Sequence, residues 1–564
     1  MKFSQMPYER PDVKQMEQQF KELIRSMNEA KTAEAQIEAM EGVNRLRNRF
    51  ETLGQLVEIR HSIDTTDEFY KAEQDFMDEN KPVVQEYVSD YYRALVHSPF
   101  RGELEARLGS QLFRLAEMSL KTFTPEIIED LQQENKLISA YAQLMASAKI
   151  PFEGEERTLP QLTPFEQSTD RAMRRRASEC RYRFMAEHEQ ELDRIFDELV
   201  KVRTAIARKL GYDNFVPLGY ARMSRTDYDE NMVNRFRSQV AEHIVPAATR
   251  LKERQRRRIG VDQLKFYDES FSFPSGNPKP KGDPDWIVAG GSEMYEAMSP
   301  ETGAFFRFMT ENELMDLVSK KGKQGGGYCT FLPDYRAPFI FSNFNGTSGD
   351  IDVLTHEVGH AFQVYESRQL GIPEYFFPTF EACEIHSMSM EFFAWPWMER
   401  FFKEDAEKYR FSHLSTALLG VAYISAVDEF QHFVYGNPEA TPAERKSAWR
   451  SIERKYLPHR DYDGVDYLER GGLWQRQLHI FHYPFYYIDY ALAQVCAFQY
   501  WDRMQKDYRS AWDSYLTLCR AGGSRSFLEL VEYAGLTSPF ESGCVESVVG
   551  GIEQWLDGVE DLKL

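Results

Sequence analysis

The sequence predicts a mainly α protein with one small β-sheet beside a long helix, and three observations carry that expectation. Between Met1 and Ile150 there are only four glycines and five prolines in a chain of 564 residues, so the backbone is rarely offered a place to leave a helix. Within that stretch Thr124-Pro125, a capping residue followed by proline at the first helical position, leads into Ile127, Leu131, Ile138, Tyr141 and Met145 on one face. Strand character is concentrated in GGGYCTFLPDYRAPFIFSNFN, residues 325–345, where aromatic and β-branched runs are bounded by glycine and a Pro-Asp turn.

Taken in order, residues 1–150 read as a helical bundle. After Ile150 the texture changes: PFEGEERTLPQLTPFEQSTD carries turn residues and short extended pieces before a charged helix resumes, which places a boundary near residue 165. The runs Arg174-Arg175-Arg176 and Arg256-Arg257-Arg258 lie in helical patterns interleaved with Glu and Gln and read as solvated helix faces. Residues 273–286, FPSGNPKPKGDPDW, are too rich in Pro and Gly for regular structure and read as a surface loop or flap. Pro338 is admissible on an edge strand, so the small sheet is expected to have an open edge along Phe339, Ile340, Phe341, Ser342, Asn343 and Phe344, to which an extended peptide could pair.

Composition narrows the function. The chain has 68 Lys+Arg against 89 Asp+Glu, a net charge of -21, which argues against nucleic acid or an anionic membrane surface as partner. No segment approaches 18 uninterrupted apolar residues and the N-terminus lacks an apolar signal core, so a cytoplasmic protein is expected. The six cysteines contain no C-x-x-C pair and suit reduced thiols, so a metal must find other ligands.

GDIDVLTHEVGHAFQVYE supplies them. Ile351, Leu354, Val358, Phe362 and Tyr365 fall at helical spacing, and on that helix His356 and His360 project from one face a turn apart, as two ligands of a tetrahedral zinc require. Glu357 sits between them, where a carboxylate can take a proton from water at the metal without being a ligand. With 12 His and 89 acidic residues in 564, such a pattern arises by chance roughly 0.04 times. A third ligand is needed, and TFEACEIHSMSMEFF offers Glu381, Glu384, His386 and Glu391 on one helix. Glu384 and Glu391 are two turns apart, so one can bind metal while the other orients a histidine; Asp352, one turn before His356, is a further partner for an imidazole.

HEVGHAFQ, followed 24 residues after His360 by Glu384 in EIHSMSME, resembles the oligoendopeptidase F and thimet oligopeptidase family of zinc metallopeptidases, the Pz-peptidase group. The resemblance implies one Zn²⁺ held by His356, His360 and Glu384, with Glu391 behind them. It implies a two-lobed helical peptidase with a deep substrate groove, an N-terminal helical domain over 1–165 and a catalytic domain over 166–564. It also implies a cleft strand against which the bound peptide pairs. Trp474, Arg476 and His479 match a W-x-R-x-x-H pattern of the oligoendopeptidase F branch, and the tyrosines that follow resemble the segment facing the substrate carbonyl. Tyr483, Tyr487 and Tyr490 recur at i, i+4, i+7 as one helix face with Tyr486 beside them, so phenol and imidazole donors are expected at a developing oxyanion. The expected activity is zinc-dependent hydrolysis of internal bonds in short oligopeptides. The rivals are a zinc metallocarboxypeptidase, which needs a cation for the free C-terminal carboxylate, and a non-catalytic peptide-binding protein.

Overall fold

Asp12, Thr32 and Asp67 each turn a side-chain oxygen onto backbone N–H groups two or three residues ahead, and behind each begins a long helix: α1, Val13–Glu29; α2, Ala33–Ile63; α3, Glu68–Val96. The computed structural model describes residues 1–320 and 322–564. By packing, the chain divides into two interleaved units: Met1–Lys121 with Lys279–Lys403 and Arg503–Leu536, and Thr122–Pro278 with Glu404–Asp502 and Thr537–Leu564. The fold is mainly α in both.

In the first unit, Phe20, Met27, Val43, Leu53, Val57, Met77, Tyr91, Leu95 and Phe113 form one buried cluster under α1 to α3. Tyr375 joins it from a distant loop: its hydroxyl donates to Leu108 O at 2.8 Å and accepts from Leu112 N at 3.0 Å. Beside it the Glu374 carboxylate accepts from Arg47 Nη2 and Tyr92 Oη, both at 2.6 Å. Burial alone would raise that carboxyl, but Arg47 outweighs it and keeps Glu374 ionised below the usual range. Removing one partner of such a pair strands a buried charge at about 3–5 kcal/mol, so this loop is fixed to the N-terminal helices.

After the hairpin β1 (Ile150–Phe152) and β2 (Glu155–Arg157) of the second unit, the remaining strands are β3 (Met315–Val318), β4 (Tyr328–Leu332) and β5 (Ala337–Phe344), all in the first unit. Their order is β3-β5-β4, with β5 parallel to β3 and antiparallel to β4. This corrects the expected open edge. Phe339 and Ile340 pair with Thr330 and Cys329 on one side, Ile340, Phe341 and Phe344 pair with Met315, Asp316 and Val318 on the other, and β5 is the buried central strand. Ser342 is buried and Asn343 donates its amide to Gln324 O and Gly326 O. The outer strands are β3 and β4. The short run MDLV gave too weak a strand signal to reveal that a parallel neighbour covers the side of β5 where Pro338 had suggested solvent.

In the second unit the two basic runs are not solvated throughout. Arg174 is fully buried against Asp268 at 2.8 Å, and Arg258 reaches Asp561 at 2.5 Å, while Arg175, Arg176, Arg256 and Arg257 pair with Glu179, Glu153 and Glu253. Each run therefore sends one arginine inward and neutralises the rest locally. Among the described residues no helix is long and apolar enough to cross a membrane.

Candidate metal centre and catalytic residues

Two helices of the first unit build the centre: α4, Gly349–Ser367, and α5, Phe380–Phe393. Asp350 sets the start of α4, accepting from Asn345 N and Gly346 N, both at 2.8 Å, so the turn leaving β5 is locked onto the first helical turn. Asp352, by contrast, lies half-buried one turn before His356, with its carbonyl taken by Thr355 Oγ1 at 3.1 Å.

What brings α4 and α5 together is Gly359, inside the helical run. A Cβ there would stand 2.6 Å from both His386 O and Ser387 Cα, backbone atoms of α5. Tyr515 Oη donates to that same His386 carbonyl at 2.8 Å, pinning it in place. Ligand spacing does not single out this residue; a lone glycine within an amphipathic helix is the available signal. Gly359→Ala should overpack the contact by about 1–3 kcal/mol, outweighing the roughly 0.5–1 kcal/mol that alanine normally gains in a helix. A lowered Tm with weakened zinc affinity, read by thermal melts and competition with a chelator, is the expected outcome.

Across this contact three ligand atoms converge. Donor atoms of His356, His360 and Glu384 all lie within 4.8 Å of one another. Glu384 Oε2 is 3.3 Å from His356 Nε2 and 3.5 Å from His360 Nε2. The edges of a tetrahedron around an ion with bonds of about 2.0–2.1 Å are about 3.3 Å, so the donor set fits zinc in chemistry and in spacing. Ser387 Oγ donates to the same Glu384 oxygen at 2.8 Å, and Glu391 Oε1 sits 2.7 Å from His356 Nδ1, orienting that ring with Nε2 toward the centre. Among the described residues neither Glu381 nor His386 joins the group. Burial holds His386 down at about 4, a neutral ring in the core.

The electrostatics favour a cation. Burial would depress the His356 imidazolium, but Glu384 and Glu391 outweigh it and raise His356 well above its ordinary value. Burial would raise Glu384, but His360 and His356 outweigh it and hold its carboxyl well below the carboxylate range. The centre thus draws positive charge, a proton or a metal ion. Glu357 differs: burial pushes its carboxyl up, and its Oε2 is buried with no hydrogen-bond partner among the described residues. An acceptor left unmet in this way costs about 1–3 kcal/mol, which water at the centre would relieve. Gly327, exposed at the head of β4, keeps space open there; a Cβ on it would stand 3.7 Å from Glu357 Oε1.

The second unit holds His479 and the tyrosines. The expected single helix face is broken. Helix Leu478–His482 ends with Tyr483 at φ -134°, ψ 73°, and the next helix, Tyr487–Lys506, begins four residues on. Pro484 forces residue 483 out of the helical region and cannot donate to a preceding turn. Phe485 then adopts φ 69°, with its carbonyl held by Arg225, whose Nη2 also pairs with Asp489 at 2.7 Å. Tyr483 is 56% exposed as a result. The other three gather around His479, with ring centroids at 4.7 Å for Tyr487, 5.8 Å for Tyr490 and 5.9 Å for Tyr486.

Comparison with known proteins agrees with this architecture. The peptidase M3 N-terminal domain model matches residues 3–123 and the peptidase family M3 model residues 304–549. A solved structure of Pz peptidase A with inhibitor 2 is 66% identical, with 100% of both chains covered and a TM-score of 0.96. Oligopeptidase PepF of Bacillus subtilis (strain 168) is 22% identical over 413 residues, 71% of this chain and 59% of that protein. An oligoendopeptidase F homolog of Lactococcus lactis subsp. lactis (strain IL1403) is 23% identical over 432 residues, 72% of this chain and 70% of that protein. With two thirds of the sequence shared with a Pz peptidase from end to end, and M3 models matched at its N-terminal helices and across α4 and α5, this chain belongs to peptidase family M3.

Proposed function

We propose that the protein is a zinc-dependent endopeptidase that cuts internal bonds of short oligopeptides. The observation that carries this reading is the convergence of His356 Nε2, His360 Nε2 and Glu384 Oε2 at tetrahedral spacing with Glu357 on the intervening turn. Zinc, when bound, supplies Lewis acidity and lowers the pKa of water. His356, His360 and Glu384 hold it, and Glu391 keeps the His356 ring aimed. Glu357 accepts the proton of the attacking water at its unmet Oε2 and later passes it to the leaving amine. His479, with Tyr486, Tyr487 and Tyr490 around it, donates to the carbonyl oxygen as negative charge develops there. The exposed residues leading into β4, Gly325 to Gly327, let a peptide backbone approach Glu357 closely.

The relatives named oligopeptidase and oligoendopeptidase support peptides as substrates, and the burial of Glu357 and Glu384 at 7% and 4% exposure favours flexible chains over folded proteins. We place the protein in the cytoplasm, in keeping with its six free cysteines. Peptides of about 5 to 20 residues, including ones blocked at both ends, should be cut internally, while a stable globular protein is left intact. Mass spectrometry of the products tests this. Internal cleavage of a doubly blocked peptide is the predicted result; cleavage confined to free C-termini would make the protein a carboxypeptidase, and no cleavage a binding protein.

A further inference from the structure

Arg476, which accompanies His479 in the W-x-R-x-x-H pattern, has no part in the reaction as described above. Its Nη1 donates to Tyr182 Oη at 2.6 Å, and its positive charge acts on the Tyr423 phenol. Tyr423 Oη donates to Gln477 Oε1 at 2.9 Å, and Gln477 Nε2 lies 2.9 Å from His479 Nδ1. All five residues belong to the second unit.

The polarity of this chain is set at its Arg476 end. A guanidinium has N–H donors, no acceptor, and stays charged at any working pH. Arg476 offers Tyr423 no acceptor, and the phenol gives its single hydrogen to the Gln477 carbonyl. That orientation turns the Gln477 NH₂ toward His479. An amide NH₂ can only donate, so Nδ1 must accept, and the ring proton resides on Nε2. The same contact disfavours the imidazolium, since an Nδ1–H would face another donor at 2.9 Å.

We propose that Arg476, Tyr423 and Gln477 are positioning residues that fix His479 as its neutral Nε2–H tautomer, the form that presents a hydrogen-bond donor on the side away from Gln477. This rests on the reading of His479 as an oxyanion donor. Reversing the tautomer turns that donor into a lone pair, which repels an oxyanion.

The test is ¹⁵N NMR of the full-length, zinc-loaded protein labelled at histidine ring nitrogens, with the His479 signals assigned by their absence in His479→Gln. Wild type should show Nε2 as the protonated and Nδ1 as the unprotonated nitrogen. Gln477→Glu offers a carboxylate to Nδ1, so Nδ1 should become protonated in the ring spectrum. Arg476→Met should let the amide flip, give a mixed ring signal and lower kcat about tenfold with KM within about twofold; Arg476→Lys, which keeps a donor, should restore most of the rate. A wild-type ring carrying its proton on Nδ1, or an Arg476→Met protein with unchanged ring signals, would overturn the proposal. Wild-type turnover in His479→Gln would instead remove His479 from the reaction. The two failures are separable because one is read from ring nitrogens and the other from the rate.

Discussion

Glu384→Ala should leave the protein folded and nearly metal-free, with zinc below about 0.1 per chain after dialysis and peptide hydrolysis lower by about 10³-fold or more, the rate equivalent of several kcal/mol of Lewis-acid stabilisation. Glu384 Oε2 faces the Nε2 atoms of both imidazoles, at 3.3 and 3.5 Å, and no other carboxylate among the described residues lies in the group. Two imidazoles a turn apart on one helix do not complete the tetrahedron. His356→Ala and His360→Ala should behave alike. Glu391→Ala should differ in degree, because it removes the acceptor at His356 Nδ1 rather than a ligand; weakening of zinc binding by about 10–100-fold is expected. Atomic emission and circular dichroism on the same samples separate metal loss from unfolding. Stoichiometric zinc in Glu384→Ala would move the third ligand elsewhere on α5.

Glu357→Gln isolates the base from the metal. The side chain keeps its size and helix propensity and takes no part in the group of three donors, so zinc should remain at one per chain while kcat falls by about 10²–10⁴-fold, the range for a positioned general base. KM should change little, since the loss lies in the transition state. Burial already disfavours the charged form of Glu357, so the neutral amide should cost no stability and the Tm should hold or rise slightly. Wild-type turnover in Glu357→Gln would remove Glu357 from the mechanism.

The fold class and the arrangement of α4 were legible because they depend on local periodicity. Scarce glycine and proline, capping residues and the apolar spacing through Ile351, Leu354, Val358 and Phe362 specify helices without tertiary knowledge, and the family resemblance agrees with the matches found. Three features depend on contacts that periodicity does not encode. The position of β5 within the sheet is set by its partner Met315–Val318, a four-residue strand whose own pattern is nearly silent. The break at Tyr483 follows from Pro484 and Phe485, so an i, i+4, i+7 pattern drawn across a proline joined residues from two helices. The close crossing at Gly359 and the chain from Arg476 to His479 join residues whose roles appear only when their neighbours in space are known. The buried members of the arginine runs teach the same point: Arg174 and Asp268 are 94 residues apart in sequence, and charge composition cannot report that they meet.

On the proposed function, one zinc ion held by His356, His360 and Glu384 makes this chain a peptidase. The decisive experiment strips the metal with a chelator, removes the chelator, and titrates zinc back while hydrolysis of a quenched fluorescent peptide is followed. No turnover is expected at the start, followed by a linear recovery that breaks at about one zinc per chain, as a single site of one Glu and two His ligands requires. Full turnover from protein verified to be metal-free, or recovery with no break near one equivalent, would contradict it.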